Sequence, residues 1–217
     1  MSQHSTLETD RLCISQLLWS NSDHCSFLVQ LESILQVPNG RPEKTAIRRS
    51  DDAQRSLYHD DQHQWGRCGY GTFLIALKRD LGSQISATQV DTPSPEPIGK
   101  ISLTTWDESG PVHATELFVS IMPKYQRCGY AIEATRALLD FVERNHGLTM
   151  FFAFAALDTP YTGAARAFAR KIGLRERGLA KRYHIDGMVY TTKGMAKTVF
   201  LQPSTPLTTE AEFMNLD

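Results

Sequence analysis

Glu116-Leu117-Phe118-Val119-Ser120-Ile121-Met122-Pro123-Lys124-Tyr125-Gln126-Arg127-Cys128-Gly129-Tyr130-Ala131 is the stretch on which the reading of this chain turns. A strand-like run stops at Pro123, which has no N–H with which to extend a ladder. Its period of two puts Glu116, Phe118, Ser120 and Met122 on one face. A short polar loop then ends in Gly129, which tolerates backbone conformations and close approaches that a side chain would block. Directly afterwards Ile132, Thr135, Leu138, Leu139 and Val142 recur at helical spacing, predicting an amphipathic helix over Gly129–His146 with Gly147 as its C-cap. The first N–H groups of such a helix lack intrahelical partners and lie at the positive end of its dipole. Strand, loop and helix N-terminus together can receive a diphosphate, although a glycine at such a turn often serves the backbone alone.

Outward from this segment the elements alternate. Upstream, Arg11–Leu17 reads as a strand, and a helix carrying Phe27, Leu28, Leu31, Ile34 and Leu35 follows an N-cap at Ser22 or Asp23. A polar helix is expected over Glu43–Gln64, then strands at Tyr70–Lys78, Pro97–Thr105 and Ala114–Met122. Downstream, Thr149–Leu157 is apolar on both faces and reads as a buried strand. A helix over Gly163–Ile172 closes at Gly173, and Leu174–Ile185 and Met188–Lys197 read as strands turned by Asp186-Gly187. The order predicts a mixed α/β (α+β) domain on one central sheet.

The 217 residues carry 23 Lys+Arg against 24 Asp+Glu, a formal charge of −1. That balance argues against bulk nucleic-acid binding and against an anionic membrane surface, while leaving room for a local anion site. Apolar residues make up 41%, enough for a sizeable core. The N-terminus is polar, and the longest near-continuous apolar run, Met150–Leu157, is far too short to cross a bilayer. Cys13, Cys25, Cys68 and Cys128 show no paired spacing, so free thiols and a cytoplasmic setting are expected. One domain is expected over residues 1–200, with a mobile Ser/Thr/Pro-rich loop at 82–97 and a disordered tail at 201–217.

The ordered set of motifs resembles the GNAT N-acetyltransferase superfamily. Gln126–Ala131 matches its Q/R-x-x-G-x-G/A acetyl-coenzyme A loop. Leu7–Leu12 is similar to the L-x-T-x-R-L opening of the RimJ/RimL-like ribosomal-protein acetyltransferases, Glu116–Gln126 to their acidic strand and P-x-Y-Q segment, and Ala165–Leu174 to their late K-x-G-F helix. His184–Gly187 falls where the family often has an x-x-D-G hairpin. The resemblance covers about residues 7–198. It implies a twisted, mostly antiparallel sheet splayed at the cofactor strand, with helices on both faces. The implied chemistry is direct transfer of an acetyl group from acetyl-CoA to an amine, either a protein N-terminus or a small molecule, in a ternary complex. Pantetheine would bond the backbone of Val119 and Ile121, and the pyrophosphate would rest on Gln126, Arg127, Cys128, Gly129, Tyr130 and Ala131. Thr162 takes the place of a frequent family asparagine.

Glu116 matches an acidic family position and is the candidate base, with a solvated strand-end glutamate as the plain alternative; His113 is the neighbouring candidate. The usual hydroxyl donors to the departing thiolate are missing, since their positions hold Ala165 and Ala169. Ser120, Tyr183 and Tyr161 are the substitutes, unless no dedicated acid exists, because a thiolate is already a tolerable leaving group near neutral pH. The alternative function is a catalytically idle CoA-binding or protein-interaction module. Cys128 invites an acyl-cysteine reading, but that family position is variable and its side chain usually plays no chemical part. The basic residues between Arg166 and Arg182 read as a solvated face with one or two ligand contacts. His59 and His63 stand one helical turn apart, but no motif places a third ligand, so no metal is expected.

Overall fold

The computed structural model describes residues 5–35, 51–78, 95–106, 114–157, 162–182 and 185–192. In chain order these form β1 (Thr6–Glu8), β2 (Leu12–Gln16), α1 (Ser22–Leu35), α2 (Asp51–Cys68), β3 (Thr72–Leu77), β4 (Glu96–Trp106) and β5 (Ala114–Ile121). A short 3-10 turn, Pro123–Tyr125, leads to α3 (Tyr130–His146), β6 (Phe152–Ala156), α4 (Thr162–Lys171), β7 (Arg175–Arg182) and β8 (Ile185–Thr191). The eight strands make one sheet, ordered β1-β2-β3-β4-β5-β6-β8-β7. Every neighbouring pair is antiparallel except β5 and β6.

Strand alternation gives the sheet two apolar faces, each with its own helical cover. Ile14, Ile75, Phe73, Ile101, Leu103 and Leu117 share a core with Ala134, Leu138 and Val142 of α3. Leu74 and Met122 point the other way and pack with Phe27, Leu28 and Leu31 of α1. Removing one such large side chain from water contributes about 1.5–3 kcal/mol, so these stripes, more than helix propensity, hold the helices in place.

Several sequence expectations need correction. Asn21, not Ser22 or Asp23, caps α1: its Oδ1 accepts from the N–H groups of Asp23 at 2.9 Å and His24 at 3.4 Å. Helix α2 is not a wholly solvated polar helix. Gln64 is buried, and Asp61, Trp65 and Cys68 are partly buried beside it, so the inward stripe has helical spacing but is half polar. Asp61 accepts from Trp19 Nε1 and from the Thr72 N–H, both at 2.9 Å. Burial outweighs these bonds and pushes its pKa up. Strand β6 is shorter than the apolar run suggested, and its Phe152, Ala153 and Phe154 are only half-buried. It borders the place where the sheet opens, so it lacks a full neighbour on one side. The last hairpin reverses between Arg182 and Ile185, because Lys181 pairs with Asp186 and Ala180 with Gly187. Asp186 and Gly187 therefore lie within a strand. Strand β4 starts at Glu96, inside the expected 82–97 loop. Residues 82–94 of that loop, the 201–217 tail, His113, Tyr161 and Tyr183 lie outside the described residues.

Gly99 fixes how closely β4 and β5 meet. It stands opposite Ile121, and a Cβ there would be driven into the Ser120 carbonyl oxygen. Gly99→Ala should cost about 1–3 kcal/mol, as overpacked sites do, measured by urea denaturation. An unchanged midpoint would show that the two strands part there without penalty.

Candidate active site

Strand β5 is paired on its two sides very differently. Against β4 it keeps register from Ala114, opposite Trp106, to Ile121, opposite Gly99. Against β6 it registers at one position, Glu116 opposite Phe152. Beyond Glu116 the two parallel strands no longer pair, although β6 continues to Ala156 and pairs fully with β8. Because the strands run in the same direction, the helices that come after them, α3 and α4, both begin at the open end of the sheet.

The loop from β5 to α3 is tightly tied. Met122 N–H donates to Ile98 O at 2.8 Å, and Tyr125 N–H donates to Met122 O at 2.8 Å. Gln126 Nε2 turns back onto the strand and donates to Ile121 O at 2.9 Å. That side chain therefore anchors the loop to β5, and the Gln126 N–H itself donates to Pro123 O at 3.2 Å. Arg127 is the one non-glycine with positive φ among the described residues, at 64°, and Gly129 lies at 85° as the N-cap residue of α3. A left-handed non-glycine costs roughly 1–2 kcal/mol and persists where its surroundings over-determine it. By helix geometry the N–H groups of Gly129, Tyr130 and Ala131 have no intrahelical acceptor. The residues forming the turn, Arg127, Cys128 and Gly129, are exposed.

A second tie comes from the far end of the sequence. Glu133, in the first turn of α3, accepts from Arg11 Nε at 2.8 Å, Arg11 Nη2 at 2.5 Å, the Arg11 N–H at 3.2 Å and Thr9 Oγ1 at 2.5 Å. Arg11 Nη1 also donates to Cys128 O at 3.1 Å, and the guanidinium lies 4.5 Å from the centroid of the Tyr130 ring. Partial burial alone would lift the Glu133 pKa, but the bonds from Thr9 and Arg11, and the charge of Arg11, hold it below the usual range. Sequence reading had no signal for this pairing beyond the T-x-R spacing at Thr9–Arg11.

On β5 the alternation is as the sequence implied. Leu117 and Ile121 enter the α3 core, while Glu116, Phe118 and Ser120 face the other way, opposite Thr104, Ser102 and Lys100. Glu116 and Ser120 are 7% and 8% exposed, whereas Phe118 between them is 48% exposed. Glu116 is therefore not the solvated strand-end carboxylate of the plain alternative. Lys100 pairs with Glu32 of α1 at 2.9 Å, and its Nζ lies 5.7 Å from the Phe118 ring centroid. Val119 is half-buried against the α3 core, so only its backbone is available at the opening. Thr162 heads α4, and Ala169 is buried in the core. Two of the late basic residues have structural partners: Arg166 pairs with Glu176 at 3.5 Å, and Arg177 Nε donates to Thr191 Oγ1 at 2.8 Å.

A parted sheet lies beside a strand that runs through a left-handed turn into a helix N-terminus, and the family comparison names the family. A model described as an acetyltransferase (GNAT) domain matches residues 41–175, well over half of the chain. The chain belongs to the GNAT acetyltransferase family. It is an N-acetyltransferase, transferring an acetyl group to an amine. No curated protein matches its sequence significantly. Solved structures share its fold at low identity. An acetyltransferase from Agrobacterium tumefaciens is 22% identical with a TM-score of 0.58, over 88% of this chain and 95% of its own. A GNAT-family acetyltransferase from Bordetella pertussis is 18% identical with a TM-score of 0.63, over 87% and 99%. An acetyltransferase from Salmonella typhimurium that modifies the N-terminal serine of a 50S ribosomal subunit protein is 15% identical, with a TM-score of 0.58, over 86% and 98%.

The lowered Glu133 pKa fixes the sign of an acid effect. Between its folded and unfolded values the unfolded chain binds more protons, so this contribution is complete above about pH 4.3, the ordinary glutamate value, and fades as pH falls through the lower folded one. Glu133→Gln should therefore flatten the acid limb of stability against pH, read by urea unfolding from pH 3 to 6. Identical limbs would remove Glu133 from acid unfolding.

Proposed function

We propose that this N-acetyltransferase takes its acetyl group from acetyl-CoA and delivers it to an amine that reaches the Glu116–Phe118–Ser120 face of β5. The observation that carries the reading is the single register position between β5 and β6. It gives an extended thioester arm a place beside the second half of β5, along the backbone of Val119 and Ile121. The same half-strand leads through Gln126, whose N–H is bonded to Pro123 O, into the turn at Gly129, where amides from Arg127 to Ala131 and the α3 dipole favour a diphosphate. Thr162, at the head of α4, is a further proposed contact. The residues present fit the donor, since the cradle is backbone and the exposed turn leaves it accessible.

When bound, acetyl-CoA supplies an activated acyl group with a thiolate leaving group. The protein has to present a neutral amine, take its proton, and protonate or tolerate the thiolate. Glu116 is the base in this reading, buried on the acceptor face of β5. Ser120, two strand steps further, and Tyr183, which follows β7 in the sequence, are the proposed proton donors to the thiolate. Phe118 offers an apolar surface between the two ends of the reaction.

The acceptor is a protein N-terminus or a small-molecule amine. The fold shared with the Salmonella enzyme that modifies an N-terminal serine supports the former. The pocket would draw on α1, on α2 and on the β7–β8 hairpin. We place the protein in the cytoplasm as a single domain over residues 1–200. No described helix is long and apolar enough to cross a membrane, and a net charge of −1 argues against bulk nucleic-acid binding.

Acetyl-CoA at a hundred times its Kd should stabilise the protein by about 2.7 kcal/mol, or roughly 5–10 °C in a domain of this size. A thermal-shift titration measures this, and no shift at saturation would overturn the donor assignment. Glu116→Gln should lower kcat roughly a hundredfold or more, the range of general-base catalysis, with donor Kd nearly unchanged in a free-thiol assay. Equal turnover would remove Glu116 from the role. Thiol release without amine dependence, over a panel of amines and N-terminal peptides, would favour the idle-module alternative.

A further inference from the structure

We propose that Arg11 is a positioning residue for the acyl donor, holding the Cys128 carbonyl and the Glu133 carboxylate in one fork and so fixing the turn on which the diphosphate rests. The proposal rests on the donor reading above. Arg11 lies outside the 41–175 segment that the family model matches, in the T-x-R opening that resembles the RimJ/RimL-like subgroup, a resemblance that assigns the arginine no role.

Three observations carry it. First, the contacts of Arg11 bracket the turn. The guanidinium bonds Cys128 O, which sits between the two left-handed residues Arg127 and Gly129, and bonds Glu133 one helical turn further on. Arg127 is an ordinary residue in a costly conformation, so something outside the loop must hold it. The Arg11 bond to the neighbouring carbonyl does so, together with the Gln126 anchor on Ile121 O.

Second, the clamp is itself held rigid. Thr9 and Arg11 belong to the β1–β2 turn, where Thr9 N–H donates to Leu12 O at 3.0 Å and Leu12 N–H donates to Thr9 Oγ1 at 2.9 Å. Thr9 Oγ1 and the Arg11 N–H also reach Glu133 Oε1, so the carboxylate meets a preformed cradle and not one flexible side chain.

Third, the charges suit an anion site. Glu133 would otherwise place a negative charge one turn into the helix whose N-terminus receives the diphosphate. Arg11 cancels it at contact distance while occupying the edge of the site, with the guanidinium packed on Tyr130. A lysine preserves the charge but has no planar fork with which to bond both partners.

The test compares wild type with Arg11→Lys, Arg11→Gln and Glu133→Gln, measuring acetyl-CoA Kd by calorimetry and steady-state KM and kcat. Arg11→Lys should raise donor Kd and KM roughly tenfold, the loss of one hydrogen bond involving a charged group, with kcat at saturating donor moving far less. Arg11→Gln, which leaves Glu133 uncompensated, should weaken binding further than Arg11→Lys. Glu133→Gln, which removes the carboxylate but leaves the cation, should also weaken binding if the fork rather than the local charge matters. In the ligand-free protein, amide exchange at Ile132 and Glu133, whose N–H groups both donate to Gly129 O at 3.1 Å, should accelerate in every variant. Variants that lose thermal stability yet bind acetyl-CoA within twofold of wild type would overturn the proposal by reducing Arg11 to a structural tie. Tighter binding by Glu133→Gln would overturn it in favour of a purely electrostatic effect. Should Arg11→Gln fail to fold, Arg11→Lys and Glu133→Gln decide alone. A wild type that binds no acetyl-CoA would overturn the donor reading itself, and this proposal with it.

Discussion

Hydrogen bonding along β5 stops on one side at Glu116 and continues on the other to Ile121, and most of the structure around the strand accommodates that asymmetry. A strand left without a neighbour along half its length would ordinarily be a liability, because exposed ladder groups invite unwanted pairing. Here the half-strand stays rigid because β4 accompanies it throughout, with Gly99 allowing the closest approach at its end. Its two faces are also fixed. Leu117 and Ile121 are buried with α3, and Met122 is buried with α1.

The loop leaving the strand is held by partners from three places in the chain. Gln126 ties it to β5, Met122 ties it to β4, and the β1–β2 turn ties it to the first turn of α3. The backbone of 127–129 can therefore occupy an otherwise unfavourable shape without a ligand to induce it. Such pre-arrangement lowers the ordering cost of binding, which is how a small set of amides becomes an effective anion site.

The segment Glu116–Ala131 was legible because everything it needs is local: a proline stop, a glycine at the turn, and a 3.6-residue apolar period after it. The same holds for the caps at Gly147 and Gly173, where left-handed glycines end α3 and α4. Legibility failed where a distant partner decided the outcome. Asp61 and Gln64 look like solvent-facing residues of a polar helix until Trp19, Thr72 and Thr105 supply their hydrogen bonds. Asp186-Gly187 is a good turn dipeptide, but pairing along β7 and β8 carries it into a strand. Asn21 caps α1 in place of the adjacent Ser22 and Asp23, a choice among three competent side chains that propensity does not rank. At the candidate site, the shared face of Glu116 and Ser120 came from alternation. The Arg11–Glu133 pair did not, since no periodicity links positions 122 residues apart.

That separation has a kinetic meaning. Closing a loop of this length costs chain entropy before any contact is gained, and contacts of high sequence separation slow folding. Helix α3 can form from its own sequence, and β3, β4 and β5 can pair with one another, before β2 and the turn that precedes it return to meet them. The fork on Cys128 and Glu133 can close only with that return. A nascent or partly refolded chain that held its other secondary structure would still lack the clamp on the 127–129 turn, so that the proposed donor affinity would mark complete folding.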